Sequence, residues 1–79
     1  MTNKKLPLET VLSRVMPGQT VHVYIYDAPE HISDETEFYW PHYDAEWMKK
    51  YKKGDVWGMF TRGDYAIVIK ADAPEGGKK

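Results

Sequence analysis

Residues 20–27, Thr-Val-His-Val-Tyr-Ile-Tyr-Asp, alternate strictly between aliphatic and polar or aromatic side chains, and this pattern constrains the fold more than any other. A period of two, rich in β-branched and aromatic residues, is typical of a β-strand with one buried face. Val21, Val23 and Ile25 should therefore face the core. The opposite face of this strand should carry the rings of His22, Tyr24 and Tyr26.

Two segments have the apolar spacing of short helices. Residues 7–16 place apolar side chains three and four positions apart and end at a Pro-Gly pair, which stops a helix. Asp44 is a favoured N-cap type, and it predicts a second helix over residues 45–53 that ends at a glycine. The first helix should pack on the aliphatic face of the strand.

The second half of the chain predicts a hairpin. Residues 56–60 and 65–71 are apolar runs on either side of a turn that contains glycine. The second of these runs is nearly continuous, which indicates a central strand with the first strand beside it. Residues 28–43 show no sustained period, so they predict a long loop that could include a short edge strand. Long loops in compact domains are often functional.

Together these elements predict an α+β fold, in which a three- or four-stranded, mainly antiparallel sheet packs against an N-terminal helix, with a second short helix. The 79 residues leave room for one core, so we expect a single domain at 1–71 and a flexible tail at 72–79. There is no cysteine and hence no disulfide or thiolate metal site. So small a domain can gain stability by self-association, and a homodimer is one expected state.

Charge and hydropathy narrow the possible partners. No apolar run approaches the roughly 18 residues that span a bilayer, and the first residues do not form an apolar signal core. We therefore expect a cytoplasmic protein without a membrane partner. With 11 basic and 12 acidic residues the net charge is −1, which argues against a dedicated duplex-DNA binder.

Aromatic residues make up 14% of the chain, more than so small a core can enclose. Tyr and Trp anchor many protein interfaces, so the ring-bearing face of the first strand and the adjacent acidic, aromatic segment predict a surface for a protein partner. Equally, the aromatic segment could fold over that face and complete the core. The predicted partner-binding residues are His22, Tyr24, Tyr26, Asp34, Glu35, Glu37, Tyr39 and Trp40.

A second group combines rings with lysines near the second helix. Rings can stack on single-stranded bases while ammonium groups follow the phosphates, so a nucleic-acid or nucleotide-binding module is the alternative function. Lysines at the end of an amphipathic helix are also common without any ligand. The residues of this alternative site are Tyr43, Trp47, Lys49, Lys50, Lys52 and Lys53.

The sequence gives less support to metal binding or catalysis than to binding of a macromolecule. Five possible ligands fall within twelve positions, at His31, Asp34, Glu35, Glu37 and His42, but their spacing matches no metal motif. The chain contains neither a nucleophile elbow nor a glycine-rich phosphate loop. We therefore expect no metal, no cofactor and no enzymatic activity, with a small metal-dependent protein as a third interpretation.

The order of the apolar segments also carries a resemblance. Leu-x-x-Val-Leu at 8–12 is followed by the strand at 21–26, a variable middle, and the runs at 56–60 and 65–69. This layout resembles small uncharacterised proteins that bacterial phages and prophages encode. The resemblance implies a stoichiometric binder in a bacterial host cell, since some such proteins block host defence by occupying a nuclease or a signalling site.

Overall fold

Five strands and two helices follow one another along residues 6–63 and 66–74, the part of the chain that this computed structural model describes. The α+β class predicted from the sequence is confirmed. In chain order the elements are β1 (Leu6–Pro7), α1 (Leu8–Leu12), β2 (Thr20–Ala28), β3 (His31–Tyr39), α2 (Ala45–Tyr51), β4 (Asp55–Arg62) and β5 (Ala66–Asp72).

The strands form one open sheet in the order β1-β4-β5-β2-β3. β5 lies at the centre beside β2, as its continuous apolar run predicts. These two strands run parallel, whereas the other three pairs are antiparallel, so the sheet is mixed. The sheet has one strand more than the predicted three or four, because the two-residue β1 was not predicted.

The long loop predicted at 28–43 is wrong, whereas the edge strand allowed within it is present and is nine residues long rather than short. After a turn in which Glu30 takes a positive φ of 63°, the chain returns as β3 and pairs with β2 along its whole length. Asp34 and Thr36 of β3 pair with Ile25 and Val23, so polar side chains occupy two core-side positions, whereas Phe38, opposite Val21, is buried in the core. An edge strand borders solvent and needs few apolar residues, which is why no alternating pattern marked it.

Helix α1 is shorter than the predicted helix at 7–16. Leu8 and Leu12 are almost completely buried, but Met16 is 72% exposed. After Leu12 the backbone continues in tight turns, and the N–H of Val15 donates to the carbonyl of Leu12, three residues earlier. Residues preceding a proline avoid the helical conformation, and Pro17 follows Met16 directly.

The core lies between the two helices and one face of the sheet, which we call the core face. Val21, Val23 and Ile25 of β2 are fully buried there, as their alternation predicts. Met48 of α2 joins the same cluster, so both helices pack on this face. The complete set of buried residues in the cluster is Leu8, Val11, Leu12, Val21, Val23, Ile25, Phe38, Met48, Ile69 and Ala71.

Helix α2 ends near its predicted boundary. Oδ1 of Asp44 accepts hydrogen bonds from the backbone N–H groups of Glu46 and Trp47, which confirms the N-cap expected there. At the C-terminal end, β5 continues to Asp72, and the N–H of Ala73 donates to the carbonyl of Tyr26. The rest of the predicted tail, 75–79, and positions 64 and 65 of the predicted hairpin lie outside the described residues.

Neither α1 nor α2 is long and apolar enough to cross a lipid bilayer, and these are the helices found in residues 6–63 and 66–74.

Candidate functional site: the open face of the sheet

The second face of the sheet, which we call the open face, carries the rings of β2. Residues opposite one another on adjacent strands point to the same side, so the partners of His22, Tyr24 and Tyr26 define this surface. Both helices contribute to the core on the other side, and therefore neither covers it. Its residues are His22, Tyr24, Tyr26, Ile32, Glu35, Glu37, Tyr39, Trp57, Phe60, Arg62, Lys70 and Asp72, and the side chain of Val68 is fully buried beneath them.

The rings on the open face form two neighbouring groups. Tyr24 stacks on the imidazole of His22 with 4.5 Å between ring centroids, and Tyr26 meets Trp57 edge to face at 5.0 Å. The ammonium group of Lys70 lies 5.7 Å from the Trp57 centroid and 5.5 Å from that of Phe60. Such contacts hold the rings in fixed positions while leaving area for a partner.

Strand β4 contributes the two most exposed rings of this second group, and sequence reasoning missed both of them. Trp57 is 45% exposed and Phe60 is 49% exposed. The pairing of β4 with β5 shifts by one residue between Val56 and Gly58, and this bulge brings Trp57 to the side of Tyr26. Strict alternation would place Trp57 with Met59 on the core face. The sequence of residues 56–60 therefore contains no pattern that predicts Trp57 on the open face.

Charged side chains lie at both ends of the open face. Nε2 of His22 lies 3.2 Å from a carboxylate oxygen of Glu35, and Nδ1 lies 4.0 Å from one of Glu37. On the other side, the Arg62 guanidinium donates to the Tyr24 hydroxyl at 3.3 Å. The β3 end is therefore acidic, whereas the β4 and β5 end carries Arg62 and Lys70 together with Asp72.

Six of the eight predicted partner-binding residues come together on this face. Tyr39, 57% exposed, pairs with Thr20 on the same side as the β2 rings. Trp40 does not join them, because it packs against the core cluster and stacks on Tyr43 at 5.7 Å. Asp34 is also separate, since it pairs with Ile25 on the core side.

Asp34 ties β3 to helix α2. The Tyr51 hydroxyl donates to its Oδ2 at 2.9 Å, and the backbone N–H of Glu35 donates to Oδ1 at 2.8 Å. Partial burial disfavours the ionised carboxylate and by itself would raise the pKa of Asp34. The hydrogen bonds stabilise the ionised form more strongly, so the pKa of Asp34 is lowered. The buried indole N–H of Trp47 does not reach hydrogen-bonding geometry with any acceptor among the described residues, but it lies close enough to the Asp34 carboxylate to lower the pKa of Asp34 as well. Burial and the bond to Asp34 raise the pKa of Tyr51.

The alternative nucleic-acid residues lie on the opposite side of the sheet, at and around α2. Trp47 and Tyr51 are half-buried against the core cluster, with ring centroids 4.7 Å apart. The ammonium group of Lys50 lies 5.8 Å from the Tyr51 ring, and Lys49 and Lys53 are exposed. These rings are therefore engaged in packing, and Tyr43 keeps 41% of its surface exposed beside them.

The five possible metal ligands are divided between different surfaces. Asp34 lies on the core side, and Glu35 and Glu37 lie on the open face. His31 is hydrogen bonded to Asp27, and the ring of His42 stacks on that of Tyr39. Within the described part of the chain, no three His, Asp or Glu side chains come close enough together to hold a metal ion.

A separate apolar cleft of about 300 Å³ opens on the core face, next to the end of α1. Its apolar lining includes Leu6, Met16, Met59 and Ile67, with Arg14 at its border.

Comparisons with models of protein families, with curated proteins and with solved structures gave no match to this chain.

Proposed function

We propose that this chain is a non-catalytic protein-binding protein and that the open face is its binding surface. One observation carries the proposal: Trp57, Phe60 and Tyr39 are each about half exposed on a sheet face that neither helix covers. Large rings at this level of exposure are common anchors in protein interfaces, because they offer a rigid area with few rotatable bonds.

The charge pattern favours a protein over a nucleic acid as the partner. Glu35 and Glu37 line one end of the open face, and phosphates would be repelled there. Lys70 is engaged with two rings, and Arg62 with the Tyr24 hydroxyl. A surface with an acidic end, apolar rings and both signs of charge at its other end instead suits a protein of complementary charge.

The resemblance to phage and prophage proteins supports a partner in the cytoplasm of a bacterial host. We propose that the chain acts there as a stoichiometric inhibitor, occupying a functional surface of a host defence protein. Binding of single-stranded nucleic acid by residues 47–53 is the alternative function.

The test is affinity capture from a bacterial lysate with tagged protein, followed by a binding assay on each protein recovered. Trp57→Ala should weaken binding of the true partner at least about tenfold, as expected for an anchoring tryptophan. Tyr43→Ala is the matched control, because Tyr43 is 41% exposed, close to the 45% of Trp57, but lies away from the open face. It should bind like the wild type.

Two results would contradict the proposal. Equal binding by Trp57→Ala and the wild type would remove the open face as the site. Recovery of nucleic acid that is lost when Lys49 and Lys50 are changed to Glu would favour the alternative function.

A further inference from the structure

Within residues 6–63 and 66–74, the outer edge of β4 is largely without a strand partner. β1 pairs only with Asp55 and Val56, so no strand among the described residues pairs with the outer side of residues 57–62. An unpaired strand edge presents a row of N–H and C=O groups that can extend the sheet by one strand of another chain.

The two edges of the sheet differ in charge. At the other edge, β3 carries Asp34, Glu35 and Glu37, and charged side chains are a common means of preventing edge-to-edge association. Residues 56–61 of β4, Val-Trp-Gly-Met-Phe-Thr, carry no charge. Only the β4 edge is therefore suited to pair with a second strand.

Exposed apolar side chains flank the β4 edge on both faces. Trp57 and Phe60 lie on the open face, whereas Leu6, Met16 and Met59 border the cleft on the core face. These five side chains are between 40% and 72% exposed. At roughly 200 Å² for each large side chain, they present about 500 Å² of apolar area. That is most of the roughly 800 Å² that one partner contributes to a standard interface.

We propose that two copies of this chain associate through their β4 edges as an antiparallel, twofold-symmetric dimer. A twofold axis perpendicular to the sheet makes the strands antiparallel and keeps the same faces together, so a residue on the axis lies opposite itself. Residues 58–62 pair regularly with β5, and the register that uses all of them has Phe60 on the axis. Met59 then lies opposite Thr61 of the second copy.

The dimer shares Trp57 and Phe60 with the proposed partner-binding surface, and it would join the open faces of two copies into one surface. Met59 separates the two proposals, because it lies on the core face and does not contribute to the open face. A variant at Met59 can therefore dissociate the dimer and leave the partner-binding rings in place.

The first experiment is sedimentation equilibrium of the full chain over a range of concentrations. The wild type should sediment with twice the 9.2 kDa mass of one chain. Met59→Lys should raise the dimer dissociation constant at least about tenfold, because it places an ammonium group in the apolar strip. Ile32→Lys is the control on the β3 edge, where the side chain is 44% exposed compared with 58% for Met59, and it should remain dimeric.

The second experiment tests the register through a disulfide. The chain has no cysteine, so Phe60→Cys introduces a single thiol. Directly opposite residues of an antiparallel pair have Cα atoms about 4.5 to 5.5 Å apart, within the range that a disulfide accepts. Under mild oxidation most of the Phe60→Cys protein should become a covalent dimer, and Ile32→Cys should not.

The proposal would be overturned by a wild type that stays monomeric up to about 1 mM, the weak end of specific association. It would also be overturned if Phe60→Cys and Ile32→Cys formed covalent dimers at the same rate. A wild type that forms the dimer but binds no protein partner would count against the proposed function alone.

Discussion

Shortening Ile25 to alanine should remove a large part of the protein's stability. Ile25 is fully buried on the core face, where its neighbours on the adjacent strands are Asp34 and Ala71. The change removes three carbons, which at about 0.8 kcal/mol each costs roughly 2.4 kcal/mol in lost burial. The cavity left behind raises the expected loss to about 3 to 4 kcal/mol. A domain of this size has roughly 4 to 12 kcal/mol in total.

Urea unfolding followed by circular dichroism measures this loss. With a slope of about 1 kcal/mol per molar urea, the midpoint should fall by roughly 3 M. Ile32→Ala makes the same chemical change at a side chain that is 44% exposed, and it should cost less than about 1 kcal/mol. All proteins are compared at one concentration, because association changes apparent stability. Equal midpoints for the two variants would refute the assignment of the core face.

Two further predictions concern contacts around α2. A Cβ at the buried Gly54 would collide with the carbonyl oxygen of Asp72 and lie 3.2 Å from that of Tyr51, so Gly54→Ala should cost more than about 2 kcal/mol. At Gly58 the added Cβ would lie 3.5 Å from its nearest neighbour, the Cβ of Lys70, so Gly58→Ala should cost less than about 1 kcal/mol in the same urea assay. Equal costs for the two variants would contradict this account. The bond between Tyr51 and Asp34 requires an ionised Asp34, whose pKa is lowered, and a protonated Tyr51, whose pKa is raised. It should therefore stabilise the fold fully between about pH 4 and 10, being lost as pH falls through the lowered pKa or rises through the raised one. Tyr51→Phe should cost about 1 kcal/mol at neutral pH and less outside that range, and a pH-independent cost would contradict the assignment.

The elements that sequence predicts best are those whose pattern follows from burial. β2 alternates because one of its faces is enclosed and the other is not, and β5 is continuously apolar because it is central. β3 was predicted only as a possible short edge strand because, at the sheet edge, Asp34 and Thr36 occupy core-side positions that would be apolar in a central strand. β1 escaped prediction because a strand of two residues has no detectable period.

The candidate site was predictable only in the part that β2 and β3 supply. Alternation places His22, Tyr24 and Tyr26 together, and the pairing with β3 adds Glu35 and Glu37. The contribution of β4 depends on a bulge, and a single-residue shift in pairing leaves no mark on hydrophobic periodicity.

The position of Trp40 could not be inferred from its neighbours in sequence either. Tyr39 and Trp40 are adjacent, and successive residues of a strand point to opposite faces. A surface that includes Tyr39 therefore excludes Trp40, which packs against the core cluster. The aromatic segment thus contributes to the core and to the open face at the same time.

The three tryptophans allow the most direct test of the open face as the binding surface. Trp57 lies on the open face, whereas Trp40 and Trp47 pack against the core cluster on the other side. A nitrogen–proton NMR spectrum resolves three indole N–H signals, which single Trp→Phe variants assign. Addition of the captured protein partner should shift or broaden the signal of Trp57 and leave the other two in place. Changes at Trp40 or Trp47 with an unaltered Trp57 signal would contradict the account.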